Sequence, residues 1–229
     1  LVEDEQTRVI GLYLEDIRDG RRFMKSAREA ARKKPVLLLK GGRTAGGARA
    51  SASHTASMAV DDAVLEGALQ QAGIVRMQGI DDFVATLMGF NWAPLPSGGK
   101  LAMVTFSGAQ AILSVDAAYR SGLALADFGP DTRQRLGTVI ATPSKARNPI
   151  DIYPDMNVHG FEKTCLEIMK ALLADDNVHG VLFILFANET ISQYVPLADL
   201  VASTAAKPVM FSLMGAEPDF LTTRDYFYS

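Results

Sequence analysis

Val36-Leu37-Leu38-Leu39-Lys40-Gly41-Gly42-Arg43-Thr44-Ala45-Gly46-Gly47 passes within a few residues from an unbroken apolar run to a basic, glycine-rich loop. Four consecutive apolar residues with no polar alternation mark a strand buried on both faces, the kind found in parallel sheets. The loop runs on through Ala48-Arg49-Ala50-Ser51-Ala52-Ser53-His54-Thr55 before a helical pattern begins. The same change from apolar run to amphipathic stretch recurs outward in both directions. Strands are expected at 9–14, 35–39, 101–106, 178–186 and 208–213, with helices at 21–33, 61–71, 80–90, 110–121, 161–174 and 191–205. Strands alternating with helices in this way predict an α/β fold of doubly wound parallel sheets.

Trp92-Ala93-Pro94-Leu95-Pro96-Ser97-Gly98-Gly99 interrupts the alternation with two prolines and two glycines, and reads as a linker between domains at 1–95 and 96–229. Each is within the size of a small doubly wound domain. Of the 229 residues 48% are apolar and 21% charged, which suits a globular chain and rules out a disordered or fibrous one. A net charge of -3 provides no broad field for a polyanion, so neither nucleic acid nor an anionic membrane is an expected partner. No apolar run approaches the roughly 20 residues that span a bilayer. The single cysteine, Cys165, allows no internal disulfide or thiolate metal cage, and a cytoplasmic location is expected. Because the first residue is Leu1, the chain is expected to be a piece of a longer polypeptide.

Chemistry concentrates first in the glycine-rich loop. Its glycines permit close approach of backbone to ligand, and Lys40, Gly41 and Arg43, with Arg49, make it a basic anion site. The loop has no apolar anchor and is expected to be mobile. His54 stands just before a helix N-terminus, where a neutral imidazole nitrogen can attack phosphorus and the product is held by backbone amides. Glu15 closes the first expected strand and reaches the same crevice, where a carboxylate on one ring nitrogen would fix the tautomer. Without that context, His54 is a surface residue and Glu15 a solvated strand end.

In the second domain the run Leu101-Ala102-Met103-Val104-Thr105-Phe106 leads into Ser107-Gly108-Ala109 and a helix. Ser107 there is either a helix cap or a phosphate donor. Read as a nucleophile elbow, the same turn lacks both flanking glycines, and His159 and His179 are the only histidines after it. Asn148-Pro149-Ile150-Asp151 is either a turn bonded to its own backbone or a lining of the crevice. The pairs Asp61-Asp62 and Asp175-Asp176 suit capping better than metal binding.

Taken together, Tyr13-Leu14-Glu15 with Asp19-Gly20, Lys40-Gly41-Gly42-Arg43, Ser53-His54-Thr55, Gln71-Ala72-Gly73, Ser107-Gly108 and Asn148-Pro149-Ile150-Asp151 resemble, in order, the motifs of nucleoside-diphosphate-forming acyl-CoA synthetases, relatives of succinyl-CoA synthetase. The resemblance covers nearly the whole chain and implies two flavodoxin-like, succinyl-CoA synthetase-like domains. It implies that His54 is phosphorylated and oriented by Glu15, and that Ser53, Thr55, Ser107, Gly108 and Ala109 cradle phosphate. The reaction implied is acyl-CoA, ADP and phosphate going reversibly to carboxylic acid, CoA and ATP. The CoA thioester, phosphate and Mg-nucleotide would be substrates, with no tightly bound cofactor and no metal site in this chain. The expected partners are a CoA-binding domain and an ATP-grasp domain or subunit, in an oligomer. The family usually has glycine where this chain has Ala56 and Ala109. The alternative left open is a noncatalytic acyl-CoA-sensing or scaffold module of a larger fusion protein.

Overall fold

The strand at 36–40 is the middle one of a sheet, and burial on both faces accounts for the apolar run Val36 to Leu39. The structure is a computed structural model describing residues 1–44, 46–47, 49–50, 61–142, 146–187, 191–204 and 206–228. It divides into two compact units, Leu1–Trp92 and Ala93–Ser229.

In the first unit β2 (Val36–Lys40) is flanked in parallel by β1 (Ile10–Leu14) and β3 (Val75–Met77). Among the described residues α1 (Gly20–Ala31), α2 (Asp62–Ala72) and α3 (Ile80–Trp92) connect and follow them. Side chains of a strand alternate between faces. Val36 and Leu38 accordingly join Ile10 against Ala27, Ala30, Leu65 and Leu69 of α1 and α2. Leu37 and Leu39 join Met77 against Phe83 and Leu87 of α3 on the other face. Gly11 lets α3 close on the sheet: a Cβ at this position would stand 2.9 Å from Leu87 Cδ2 and 3.0 Å from Phe83 Cζ. The helix starts are fixed by carboxylates. Asp19 accepts the N–H of Arg22 at 2.9 Å, and Asp61 accepts those of Ala63 and Val64 at 2.9 and 3.1 Å.

The second unit is built around β4 (Lys100–Thr105), with β7 (Gly180–Phe186) along one edge and β8 (Val209–Met214) beyond it, all parallel. Along its other edge lie two fragments, β5 (Ala124–Leu125) beside the start of β4 and β6 (Ile150–Asp151) beside its end. Asn148 bridges the gap between them. Its Oδ1 accepts the N–H of Met103 at 2.9 Å, and its Nδ2 donates to the carbonyls of Leu101 and Ala126 at 2.7 and 3.1 Å. One core joins Ala102, Val104, Val181, Phe183 and Leu185 to Cys165, Ile168 and Leu172 of α7 (Phe161–Ala174). Leu136 of α5 (Pro130–Leu136) and Leu197 of α8 (Val195–Thr204) complete it. α4 (Gly108–Arg120) packs against β4 and turns Ala111 and Ala118 inward. α6 (Tyr153–His159) follows β6, and α9 (Glu217–Tyr228) is the last described element.

The five expected strands and the helices between them are present, most within two residues of their expected bounds. The expected helix at 191–205 differs: a 3-10 turn at Ile191–Gln193 comes first and α8 starts at Val195. Pro196 has no N–H to donate and is accommodated only in a first turn, which sets that start.

Candidate functional site

Strands of a parallel sheet all end on the same edge, the edge where open α/β sheets bind ligands. In the first unit that edge gathers Tyr13 and Glu15 from β1 and the turn after it, Lys40 to Arg43 from the end of β2, and Gln78 from the end of β3. Tyr13 and Glu15 are two residues apart in extended chain, so they project to the same side. The Tyr13 hydroxyl donates to Glu15 Oε1 at 3.2 Å. This bond to the carboxylate raises the phenol above its ordinary value, so the donor stays protonated. Lys40 is committed to the turn: its Nζ donates to the carbonyls of Glu15 at 2.6 Å and Gly41 at 2.5 Å. Gly41 donates its own N–H to Leu14 at 3.0 Å, and Gly42 adopts φ 74°, which a side chain would disfavour.

Arg43 Nη1 donates to Gln78 Oε1 at 2.6 Å, and its Nη2 stands 3.8 Å from Asp62 Oδ2. Asp62 pairs in turn with the buried guanidinium of Arg76, which also reaches Glu66 Oε2 at 3.0 Å. The Arg76 hydrogen bond holds the Asp62 carboxyl below the ordinary carboxylate value. Asp62 is thus an ion-pair member as well as the first residue of α2. Arg43 and Asp62 lie on either side of the segment carrying the other expected site residues. Ser53, His54, Thr55 and Ala56 all lie outside the described residues. No sequence signal marks Gln78 or Arg76, and Tyr13 stands in its motif without a role of its own. Tyr13 was detectable from its two-residue spacing to Glu15, whereas Arg76 lies in a three-residue strand that no periodicity announces.

In the second unit the carboxyl end of β4 delivers Ser107, which precedes α4 in extended conformation and makes no side-chain cap bond. Its N–H instead donates to the buried Thr105 hydroxyl at 3.0 Å, and that hydroxyl donates back to the Ser107 carbonyl at 3.1 Å. Gly108 and Ala109 open the helix and are exposed. Asp151 lies beside them: its Oδ1 accepts the Tyr153 N–H at 3.2 Å, and its Oδ2 is 3.7 Å from where a Gly108 Cβ would stand. Asn148 is occupied at the edge of β4 as described. His179 accepts the Lys100 N–H on Nδ1 at 3.1 Å, at the start of β4. A strand of this length separates it from Ser107 by about 20 Å, so it is no base for a serine nucleophile. Among the described residues no three His, Cys, Asp or Glu side chains converge on a cation position, and no helix is long and apolar enough to cross a membrane.

Comparison with known proteins agrees with this architecture. Residues 1–90 match the succinyl-CoA ligase like flavodoxin domain. The chain is 35% identical over 216 residues to the ADP-forming acetate-CoA ligase II of Archaeoglobus fulgidus, covering 94% of this chain and 32% of that protein. It is 34% identical over 178 residues to the alpha subunit of the ADP-forming acetate-CoA ligase II of Pyrococcus furiosus, covering 78% of this chain and 38% of that subunit. Among solved structures, the dinucleotide forming acetyl-coenzyme A synthetase 1 of Candidatus Korarchaeum cryptofilum, in complex with phosphate and ADP, matches with a TM-score of 0.85 at 27% identity. That match covers 99% of this chain and 49% of the other. The chain therefore spans from about one third to one half of the length of these relatives. With its parallel sheets, its ordered motifs and these similarities in accord, the chain contains a succinyl-CoA ligase like flavodoxin domain at residues 1–90 and is similar, over nearly all of its length, to part of the ADP-forming acetate-CoA ligases.

Proposed function

We propose that this chain supplies the phosphoryl-relay part of an ADP-forming acyl-CoA synthetase. In this reading the domain at 1–95 bears His54 as the phosphorylated residue and the domain at 96–229 contributes the second phosphate cradle. Acyl-CoA is cleaved by phosphate to an acyl phosphate and CoA, the phosphoryl group moves to His54, and ADP then takes it to become ATP. The observation carrying this reading is the placement of Glu15, with Tyr13, Lys40 and Arg43, at the carboxyl edge of the first sheet, where the chain leaves β2 toward His54.

Glu15 orients the imidazole and balances the positive charge of the phosphorylated ring. Ser53 and Thr55, on either side of His54 in sequence, stabilise the phosphoryl group there. In the second domain the Ser107 hydroxyl, not used as a cap, and the first amides of α4 at Gly108 and Ala109 receive phosphate. Asp151 beside them disfavours a fully ionised phosphate, which suits a cradle that takes a protonated or acylated one. Acyl-CoA, phosphate and the Mg-nucleotide act as substrates. The CoA-binding and ATP-grasp functions come from other domains or subunits, within a cytoplasmic oligomer.

The test supplies those parts and ATP labelled in its γ-phosphate, then assays the chain for an acid-labile, base-stable phosphate. Label is expected on the wild-type chain and not on His54→Ala. Equal labelling of both would defeat the relay.

A further inference from the structure

We propose that Asp151 gives the second phosphate cradle its choice of ion: the carboxylate accepts a hydrogen bond from the P–OH of hydrogen phosphate and turns away a tetrahedral anion that carries no proton. The inference rests on the reading of Ser107, Gly108 and Ala109 in the preceding subsection, and deepens it from a charge preference to a choice between named ions.

Asp151 is fixed at the carboxyl edge of the second sheet. Its main chain pairs with Thr105 at the end of β4, and the next N–H, that of Ile152, donates to the Thr105 carbonyl at 2.9 Å. Thr105 also holds the main chain of Ser107 through its buried hydroxyl, so one residue of β4 places both the cradle and the carboxylate. The two carboxylate oxygens are unequal. Oδ1 is taken by the N–H of Tyr153 at 3.2 Å. Oδ2 has no hydrogen-bond donor among the described residues and stands 3.7 Å from where a Gly108 Cβ would be. Outside Gly108's own turn, no other described atom comes within 4 Å of that point, so the space beside the first residue of α4 is open with one carboxylate oxygen on its rim.

An anion received by the first amides of α4 therefore meets an oxygen with lone pairs to spare. Hydrogen phosphate can turn its one proton toward Oδ2, and the contact becomes a charge-assisted hydrogen bond. Sulfate at neutral pH has the same tetrahedral shape and no proton, so lone pairs face lone pairs and the like charges repel. No proton is transferred: it stays on the phosphate oxygen, and Asp151 stays ionised. A carboxylate that served only the dipole of α4 would stabilise the helix without telling the two ions apart.

The experiment measures binding of labelled inorganic phosphate to the complete ligase containing this chain at neutral pH, and its displacement by arsenate and by sulfate. Arsenate keeps a proton and is larger than phosphate, whereas sulfate is closer to phosphate in size, so a sieve by size would favour sulfate. We expect sulfate to be needed at more than about ten times the concentration of arsenate in the wild type. In Asp151→Asn, whose amide can donate, and in Asp151→Ala, sulfate is expected to gain at least about tenfold relative to phosphate. Wild-type displacement by sulfate as readily as by arsenate overturns the proposal whether or not the variants fold, and so does an unchanged preference in either folded variant. Ser107→Ala separates the two levels, because its hydroxyl makes no cap bond. If Ser107→Ala binds phosphate like the wild type, the cradle is misplaced and both readings fall. If it binds about tenfold more weakly while Asp151→Asn keeps the wild-type preference, only the role of Asp151 falls.

Discussion

Asn148 does with one side chain what a strand residue does with its backbone. It satisfies the Met103 N–H and two carbonyls where β5 has ended and β6 has not begun. Asn148→Ala leaves those groups without protein partners and is expected to destabilise the second unit by about 2–4 kcal/mol. A lowered urea midpoint, with the first unit unaffected, is the measurement. Asp175 makes a comparable contribution that depends on pH. Burial alone would raise its carboxyl, but hydrogen bonds from Thr132 and from the N–H groups of Gly129 and Asn177 bring it below its ordinary 3.8. A group depressed in the folded state stabilises at pH above its unfolded value and loses that contribution as pH falls through the folded one. Stability of the second unit should therefore decline below about pH 4, and Asp175→Asn should be less stable at pH 7 with a shallower acid slope. An acid titration of unfolding free energy tests both.

At the scale of elements, Gly11 is the clearest sequence-to-packing link. A larger side chain there meets Leu87 and Phe83 of α3, so Gly11→Val is expected to cost about 1–3 kcal/mol, readable as a lower melting temperature of the first unit. The long buried elements were legible in sequence because their periods are unambiguous: Val36 to Leu39 and Val178 to Phe186 admit little besides buried strands. The short ones were not. β5 and β6 are two residues each, and β3 is three, held by what β2 and β4 offer them and not by any pattern of their own. α5, α6 and α9 also went unread; two of them are only seven residues long. The site was partly legible for the same reason. Glu15 and Lys40 could be placed because they terminate readable strands. The engagement of Lys40 with two carbonyls, and of Asn148 with an edge of β4, depends on tertiary partners that no local spacing encodes.

The molecule as a whole is two units with separate cores, and the chain has one thiol, placed in only one of them. Burial pushes the Cys165 thiol up to about 12, and its side chain is 1% exposed. At pH 8 so little thiolate exists that alkylation in the closed state should be slower by about three orders of magnitude than in an unfolded chain. Labelling should therefore proceed through openings of the second unit, at a rate set by how often they occur. Asn148→Ala should accelerate it, and Gly11→Val should not. Cys165 is in effect a built-in stopwatch: with a thiol reagent and a mass spectrometer, the breathing of one half of the chain can be timed while the other half goes uncounted.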